Sequence, residues 1–148
     1  TRQSSSAASD VYKRQHPRSV VTFSDSGAHV AQIMDSSLQT HLLGHWVRER
    51  EAFTLEQAVR LITYDTASAW GFYDRGLIRE GLNADIVIFD PDTIRQNMPE
   101  LVNDLPAGAP RLKQTARGIH TTIVNGQVLL QDNEHSGNFP GHLIRQQR

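Results

Sequence analysis

The hydrophobic pattern changes period along the chain, from helical spacing in its first half to strand-like runs in its second. Leu38, Leu42 and Trp46 recur at every fourth position, which predicts an amphipathic helix over Ser37–Glu49. Ahead of it, the short β-branched run Ser19–Phe23 stops abruptly at polar residues and predicts a strand. The pattern indicates an α/β fold.

Two shorter helices are predicted after the first. Thr54 and Gln57 form a capping-box signature, in which each side chain bonds a backbone N–H at a helix start. Asp65 is the expected N-cap of another helix, Thr66–Trp70. Gly71 should end that helix, because glycine is favoured just past a helix C-terminus.

The second half reads as a β-region. Ala84–Phe89 is a strong strand, apolar on both faces, and Leu77–Ile78 is a short strand candidate. Ile119–Val124 and Gln127–Leu130 flank Asn125-Gly126, a dipeptide that predicts a tight hairpin because both turn positions need positive φ. Between strand and hairpin, residues 91–117 hold four of the six prolines and predict a long surface excursion.

The segments suggest a division into three parts. Residues 1–15 lack periodicity and are predicted to be a non-native or disordered tail. Residues 16–73 carry one barrel-type strand and the helices, and residues 74–148 carry the β-region with the loop 91–117. A closed (β/α)₈ barrel takes roughly 250 residues. We therefore expect the C-terminal piece of a longer protein.

The composition is that of one ordinary globular domain. Of 148 residues, 38% are hydrophobic and 21% charged, and the net charge is −1. That balance argues against nucleic acid or an anionic membrane as a partner, and no apolar run approaches the roughly 20 residues that span a bilayer. The absence of cysteine excludes disulfides and thiolate ligands. We expect a cytoplasmic location.

Asp25 is the first candidate catalytic residue, because it lies where a predicted strand ends in the turn Ser24–Gly27. In α/β barrels the catalytic residues project from the C-terminal ends of strands. The alternative is a turn-capping role, since Asp-Ser-Gly is ordinary turn chemistry. His29 is a candidate substrate contact or support for Asp25, and its alternative is a partly buried structural histidine.

His41 and His45 have the four-residue spacing at which two imidazoles reach one zinc ion. A zincin motif also needs Glu beside the first His, whereas position 42 is Leu, so packing is the favoured interpretation. The run Arg48–Glu51 is interpreted as a solvated helix end with mixed ion pairs.

Four further side chains have predicted structural roles. Trp46 and Trp70 are interpreted as core anchors. Asp74 and Arg75 are expected to fix the turn into the β-region.

Five segments, taken together and in this order, resemble the amidohydrolase superfamily, of the amidohydrolase 3 type and its D-aminoacylase (N-acyl-D-amino-acid deacylase) branch. The resemblance spans about Ser19 to Arg145. Its segments are Ser24-Asp25-Ser26-Gly27-Ala28-His29, Trp46-Val47-Arg48-Glu49-Arg50, Thr54-Leu55-Glu56-Gln57-Ala58-Val59, the block from Asp74 to Asp90, and Thr122-Ile123-Val124-Asn125-Gly126.

The resemblance implies the end of a metal-dependent TIM barrel joined to part of a small β-sandwich, with zinc as the ion. Asp25 would lie beside the metal, orient the attacking water as general base, and pass the proton to the leaving amine. Ser26 and His29 would contact the substrate, an N-acyl amino acid, preferably the D-form. Family members place their other ligands upstream, and a catalytic zinc site needs about three protein ligands. The polypeptide as given is therefore expected to be inactive.

Two alternatives remain open. A bacterial enzyme of the hydantoinase or dihydroorotase kind would cleave a cyclic amide with the same aspartate. A non-catalytic module, in which the β-region mediates oligomerisation or domain packing, would need neither the metal nor Asp25. The sequence leaves the oligomeric state and the acyl group undetermined.

Overall fold

The chain folds into a helical part followed by an antiparallel β-region, the order predicted from the sequence. The computed structural model describes residues 16, 19–22, 24–27, 29, 31–32 and 36–145, so the predicted tail 1–15 lies outside the described residues. The helices are α1 Leu38–His41, its π-helical continuation Leu42–Glu49, α2 Leu55–Ile62 and α3 Tyr64–Ala69, and a short 3₁₀ turn follows at Pro106–Gly108. The strands are β1 Ile86–Phe89, β2 Arg95–Gln96, β3 Glu100–Val102, β4 Arg111–Lys113, β5 Ala116–Arg117, β6 Ile119–Val124, β7 Gln127–Gln131 and β8 Glu134–His135.

The first helix forms where it was predicted but changes type part-way. α1 runs directly into the π-helix, whose wider turn is unusual over this length. Among the described residues, the π-helical segment supplies half of the buried hydrophobic core. Its buried residues are Leu42, Leu43, Gly44 and Trp46.

The helix start at Thr54 is a complete capping box. Gln57 N donates to Thr54 Oγ1 over 3.2 Å, and Thr54 N donates to Gln57 Oε1 over 3.0 Å. The two bonds satisfy donors that a helix start leaves free. The prediction for α2 is confirmed.

α3 starts earlier than predicted. Its N-cap is Thr63, without a side-chain cap bond, and Asp65 lies in the first turn, where it accepts from Arg60 Nε over 2.9 Å. The predicted N-cap role of Asp65 is therefore wrong, because α2 and α3 follow each other too closely for Asp65 to stand outside a helix. Gly71, at φ 75°, ends α3 as predicted.

The main sheet has four antiparallel strands in the order β1-β6-β7-β8. The predicted Asn125-Gly126 hairpin is confirmed, with φ values of 47° and 77° at the two turn residues. A second tight turn, Asp132-Asn133 at φ 49° and 68°, adds the short β8. β1 lies at the sheet edge, where Val87 and Ile88 are half exposed rather than buried on both faces.

Residues 91–117 are more ordered than predicted. Two short antiparallel ribbons, β2 with β5 and β3 with β4, occupy the expected excursion. Ile94, at the entry to β2, is only 2% exposed and belongs to the core. Most of the segment is exposed, in line with a surface excursion. The ribbons were missed because strands of two or three residues leave no periodic pattern in the sequence.

Two predicted strands are not formed. The described residues 19–22 of Ser19–Phe23 carry no strand pairing, and neither do residues 77 and 78. A strand needs a hydrogen-bonded neighbour, and the described part of the chain supplies none at either place. Phe23 lies outside the described residues.

Contacts between the π-helix and the loop after β1 join the two halves. Arg48 Nη1 donates to Ile94 O over 2.8 Å and to Pro91 O over 3.0 Å. Arg48 is therefore a docking residue, which corrects its predicted solvated role. Trp46 is buried as predicted, whereas Trp70 is 44% exposed and is not a core anchor. Trp70 is the C-cap residue of α3, a helix without buried residues.

The architecture is a mixed α/β fold. No helix within the described residues is long and apolar enough to cross a membrane. The boundary at residue 73, the barrel end and the β-sandwich remain predictions.

Candidate functional site

The Asp25 loop presents its polar side chains to solvent. Asp25, Ser26 and His29 are all exposed, and Ser26 N donates to Ser24 Oγ over 3.2 Å across the turn. Gly27 takes φ 92°, a backbone conformation that glycine adopts without strain. Asp25 thus lies on a tight turn with its carboxylate open to a ligand.

The structure places the three predicted site residues on one loop without joining their side chains. Within the described part of this loop, no hydrogen bond links Asp25, Ser26 and His29. His29 has φ 49°, in the left-handed region, and its carbonyl accepts from Gln32 N over 2.6 Å. His29 is exposed in this chain, and its two predicted roles stay predictions.

A hydroxyl on α3 holds the segment that leads to Asp25. Thr66 Oγ1 lies 2.8 Å from Val21 O and also 2.8 Å from Leu61 O. A threonine hydroxyl carries one proton, so it donates to one carbonyl at a time. The sequence analysis missed Thr66, because a threonine in a helix gives no signal of a contact 45 residues away.

The described residues do not by themselves form a metal centre. Among them, no group of three or more His, Asp or Glu side chains lies close enough together to hold a metal ion. Asp25 is a single exposed carboxylate, whereas a catalytic zinc needs about three protein ligands. Any metal beside Asp25 therefore requires ligands from outside this set.

His41 and His45 stack on one another, with ring centroids 4.9 Å apart and planes 13° from parallel. His45 Nδ1 lies 2.9 Å from Glu49 Oε2, and His41 Nδ1 lies 3.0 Å from Gln96 Nε2. The hydrogen bond from His45 lowers the pKa of the Glu49 carboxyl. The histidine pair thus engages neighbouring side chains and, through Gln96, helps to dock α1 on β2.

A polar cluster fixes the entry to the β-region, as predicted for Asp74 and Arg75. Arg75 Nε donates to Asp74 Oδ1 over 3.1 Å, and Arg75 Nη1 donates to Asp85 Oδ2 over 2.6 Å. Asn83 Nδ2 donates to Asp74 Oδ2 over 2.7 Å. The hydrogen bond from Arg75, together with its positive charge and the Asn83 amide, lowers the pKa of Asp74.

A groove of about 800 Å³ lies between the helices and β1, apart from the Asp25 loop. None of its lining residues precedes Gln39. Its charged lining residues are Glu56, Arg60 and Asp85. Arg60 is paired with Asp65, and Asp85 is paired with Arg75. The groove offers apolar packing surface. Its apolar lining includes Leu43, Val59, Ile62, Val87 and Phe89.

Comparison with a protein-family model adds an independent finding. The model described as "Amidohydrolase family" matches residues 13–130. The match includes the Asp25 loop, α1 with its π-helical continuation, α2, α3 and nearly all of the β6–β7 hairpin. It covers most of the chain.

Individual relatives match over a smaller share of their own length. A D-aminoacylase of Alcaligenes xylosoxydans xylosoxydans is 33% identical over 103 residues, which are 70% of this chain and 19% of that protein. A dihydroorotase of Lactobacillus johnsonii is 33% identical over 91 residues, or 61% of this chain and 21% of that protein. The chain thus spans about a fifth of the length of these curated relatives.

A solved structure supports the same relationship. A D-aminoacylase structure, described for the functional role of its binuclear metal center, is 34% identical with a TM-score of 0.52. The match covers 68% of this chain and 19% of that one.

Proposed function

Because the chain belongs to the amidohydrolase family, we propose that it forms part of a hydrolase that cleaves the amide bond of N-acyl-D-amino acids. The observation that carries the proposal is the exposed Asp25 carboxylate, on a tight turn inside the family match. The similarity to a D-aminoacylase supports the choice of substrate class. Since the match covers only 19% of that relative, the proposal concerns a longer enzyme to which this chain contributes.

Asp25 acts as the general base and then as the general acid. Its carboxylate takes a proton from the water that attacks the acyl carbon, and returns it to the amine nitrogen as the C–N bond breaks. Proton transfer of this kind contributes about 10²–10⁴-fold to a rate. An exposed carboxylate on a short turn is free to reach both water and leaving group.

Ser26 and His29 are proposed to contact the substrate. Both are exposed on the same loop as Asp25. The Ser26 hydroxyl and the His29 imidazole are able to hydrogen-bond the carboxylate or the acyl oxygen of an N-acyl amino acid.

Zinc belongs to the proposal only for the longer enzyme. There a bound divalent ion would acidify the attacking water, and Asp25 would be the carboxylate that this chain places beside it. Among the described residues, no group of three or more possible metal ligands is present. We expect the 148-residue chain alone not to turn over substrate.

A cyclic-amide hydrolase is the second candidate, because a dihydroorotase also matches. The same Asp25 chemistry would open a ring instead of releasing an amine from an open chain. The non-catalytic alternative assigns the β-region to packing or oligomerisation, and predicts no role for Asp25.

A chimera distinguishes these candidates. Residues 16–145 replace the matching segment of the Alcaligenes D-aminoacylase, and a second chimera carries only residues 24–29 in case the larger exchange does not fold. We expect bound metal and release of free amine from an N-acyl-D-amino acid, faster than from its L-enantiomer. Turnover of dihydroorotate alone would favour the cyclic candidate. A folded, metal-loaded chimera without any turnover would contradict a catalytic role.

A further inference from the structure

Asn125-Gly126 is the most deamidation-prone dipeptide in the chain. Glycine has no side chain to hinder its backbone nitrogen from approaching the preceding Asn side chain. The Gly126 nitrogen loses its proton to water or hydroxide and attacks Asn125 Cγ. The new N–C bond closes a succinimide, and ammonia leaves. Water then opens one of the two ring carbonyls, giving aspartate or isoaspartate.

Three hydrogen bonds engage Asn125 and Gly126 in the folded chain. The attacking nitrogen, Gly126 N, donates to Ala84 O over 2.9 Å. Asn125 Nδ2, the leaving group, donates to Pro140 O over 2.7 Å, and Pro140 is itself buried. Asn125 N donates to Asp85 Oδ1 over 2.8 Å. Cyclisation requires the Gly126 nitrogen and the Asn125 amide to leave these partners.

Asp85 links this turn to the rest of the fold. Its other carboxylate oxygen accepts from Arg75 Nη1 over 2.6 Å. One side chain therefore ties the β6–β7 turn to the Arg75 cluster at the entry to the β-region. We call Ala84, Asp85 and Pro140, with their bonds to the turn, the hairpin clasp.

We propose that Asn125 deamidates spontaneously, that the hairpin clasp slows this reaction, and that the reaction takes place when the hydrogen bonds of the clasp break. The deamidated product favours the state in which these bonds are broken. Deamidation replaces the amide donor to Pro140 with a carboxylate, and that charge repels nearby Asp85. Isoaspartate also adds a methylene to the backbone, which the tight turn does not accommodate. A transient opening is thereby converted into a lasting covalent change.

The test compares deamidation rates at mildly alkaline pH. The whole chain, a synthetic peptide of residues 120–131, and the variants Asp85→Ala and Asp92→Ala are incubated together. Conversion at Asn125 is followed by peptide mass spectrometry and by an isoaspartate assay. Asn138, which precedes the bulky Phe139, is the reference asparagine in the same digest.

We expect the folded chain to react at least about tenfold more slowly than the peptide, since a hydrogen bond to a charged acceptor changes an opening equilibrium by about that factor or more. Asp85→Ala should raise the deamidation rate of Asn125 by a similar factor. Asp92→Ala should leave that rate unchanged. The comparison of chain with peptide stands even if Asp85→Ala does not fold. Equal rates in chain and peptide, or in the two variants, would overturn the proposal.

Discussion

Thr66 Oγ1 lies 2.8 Å from Val21 O, a hydrogen bond that spans 45 residues of sequence. It links α3 to the segment that ends in Asp25, four residues further on. An extended chain of four residues reaches at most about 14 Å. The bond therefore confines the Asp25 turn to a limited region beside the helices.

Replacing Thr66 should loosen this segment more than the fold as a whole. Thr66→Val keeps the shape and removes the donor, and we expect faster amide hydrogen exchange over residues 19–27 with a loss of about 1 kcal/mol in the free energy of unfolding. Thr66→Ser should restore the slow exchange. Thr63→Val is the matched control, because its hydroxyl donates to Val59 O within the helical region. Equal amide hydrogen exchange over residues 19–27 in Thr66→Val and Thr63→Val would contradict the role of the Thr66–Val21 hydrogen bond.

Gly44 is required by the close approach of the π-helix to the chain before β2. A Cβ at this position would lie 2.7 Å from Ile94 O. We expect Gly44→Ala to lower the free energy of unfolding by about 1–3 kcal/mol through overpacking, despite the better helix propensity of alanine. Gly141→Ala is the control, since a Cβ there meets open space. Denaturant unfolding of both variants measures the difference, and an unchanged midpoint for Gly44→Ala would show that the two halves dock differently.

The cluster around Asp74 predicts a loss of stability in acid. Arg75 lowers the pKa of Asp74 in the folded chain, so the folded state binds that proton less readily than the unfolded state. The contribution of ionised Asp74 to the free energy of unfolding is fully present above the ordinary aspartate pKa of about 3.9. It is lost as the pH falls through the lower pKa of the folded state. Thermal unfolding measured across this range should show weaker pH dependence for Asp74→Asn. Equal profiles for wild type and Asp74→Asn would refute the assignment.

The parts of the fold that the sequence predicted are those with local physical signals. The capping box at Thr54 and Gln57, and the Asn125-Gly126 turn, depend on residues within a few positions of each other. Each was found where it was predicted. The Asp132-Asn133 turn carries a similar signal, since both residue types tolerate positive φ, and it was missed.

Other features depend on contacts that no local pattern carries. The core role of Ile94 and the docking role of Arg48 exist only because the β1–β2 loop meets the π-helix. The same is true of Thr66 and Val21. Asp25, Ser26 and His29 were named from the sequence, and the structure adds that all three are exposed on one loop. Their chemical roles stay predictions.

The proposed function depends on Asp25 as general base and general acid, and substitution of Asp25 tests that role. In the chimera with D-aminoacylase, we expect Asp25→Asn to lower kcat by at least about 10²-fold, the smallest contribution typical of general acid–base catalysis. The change keeps the size of the side chain and removes its charge. Asp132→Asn, an exposed control that tolerates the turn conformation, should keep the kcat of the parent chimera.

The decisive measurement is kcat for amine release from an N-acyl-D-amino acid, with metal content determined on the same samples. We expect the Asp25→Asn chimera to be folded and metal-loaded, with almost no turnover. A kcat equal to that of the Asp132→Asn control would contradict the role assigned to Asp25.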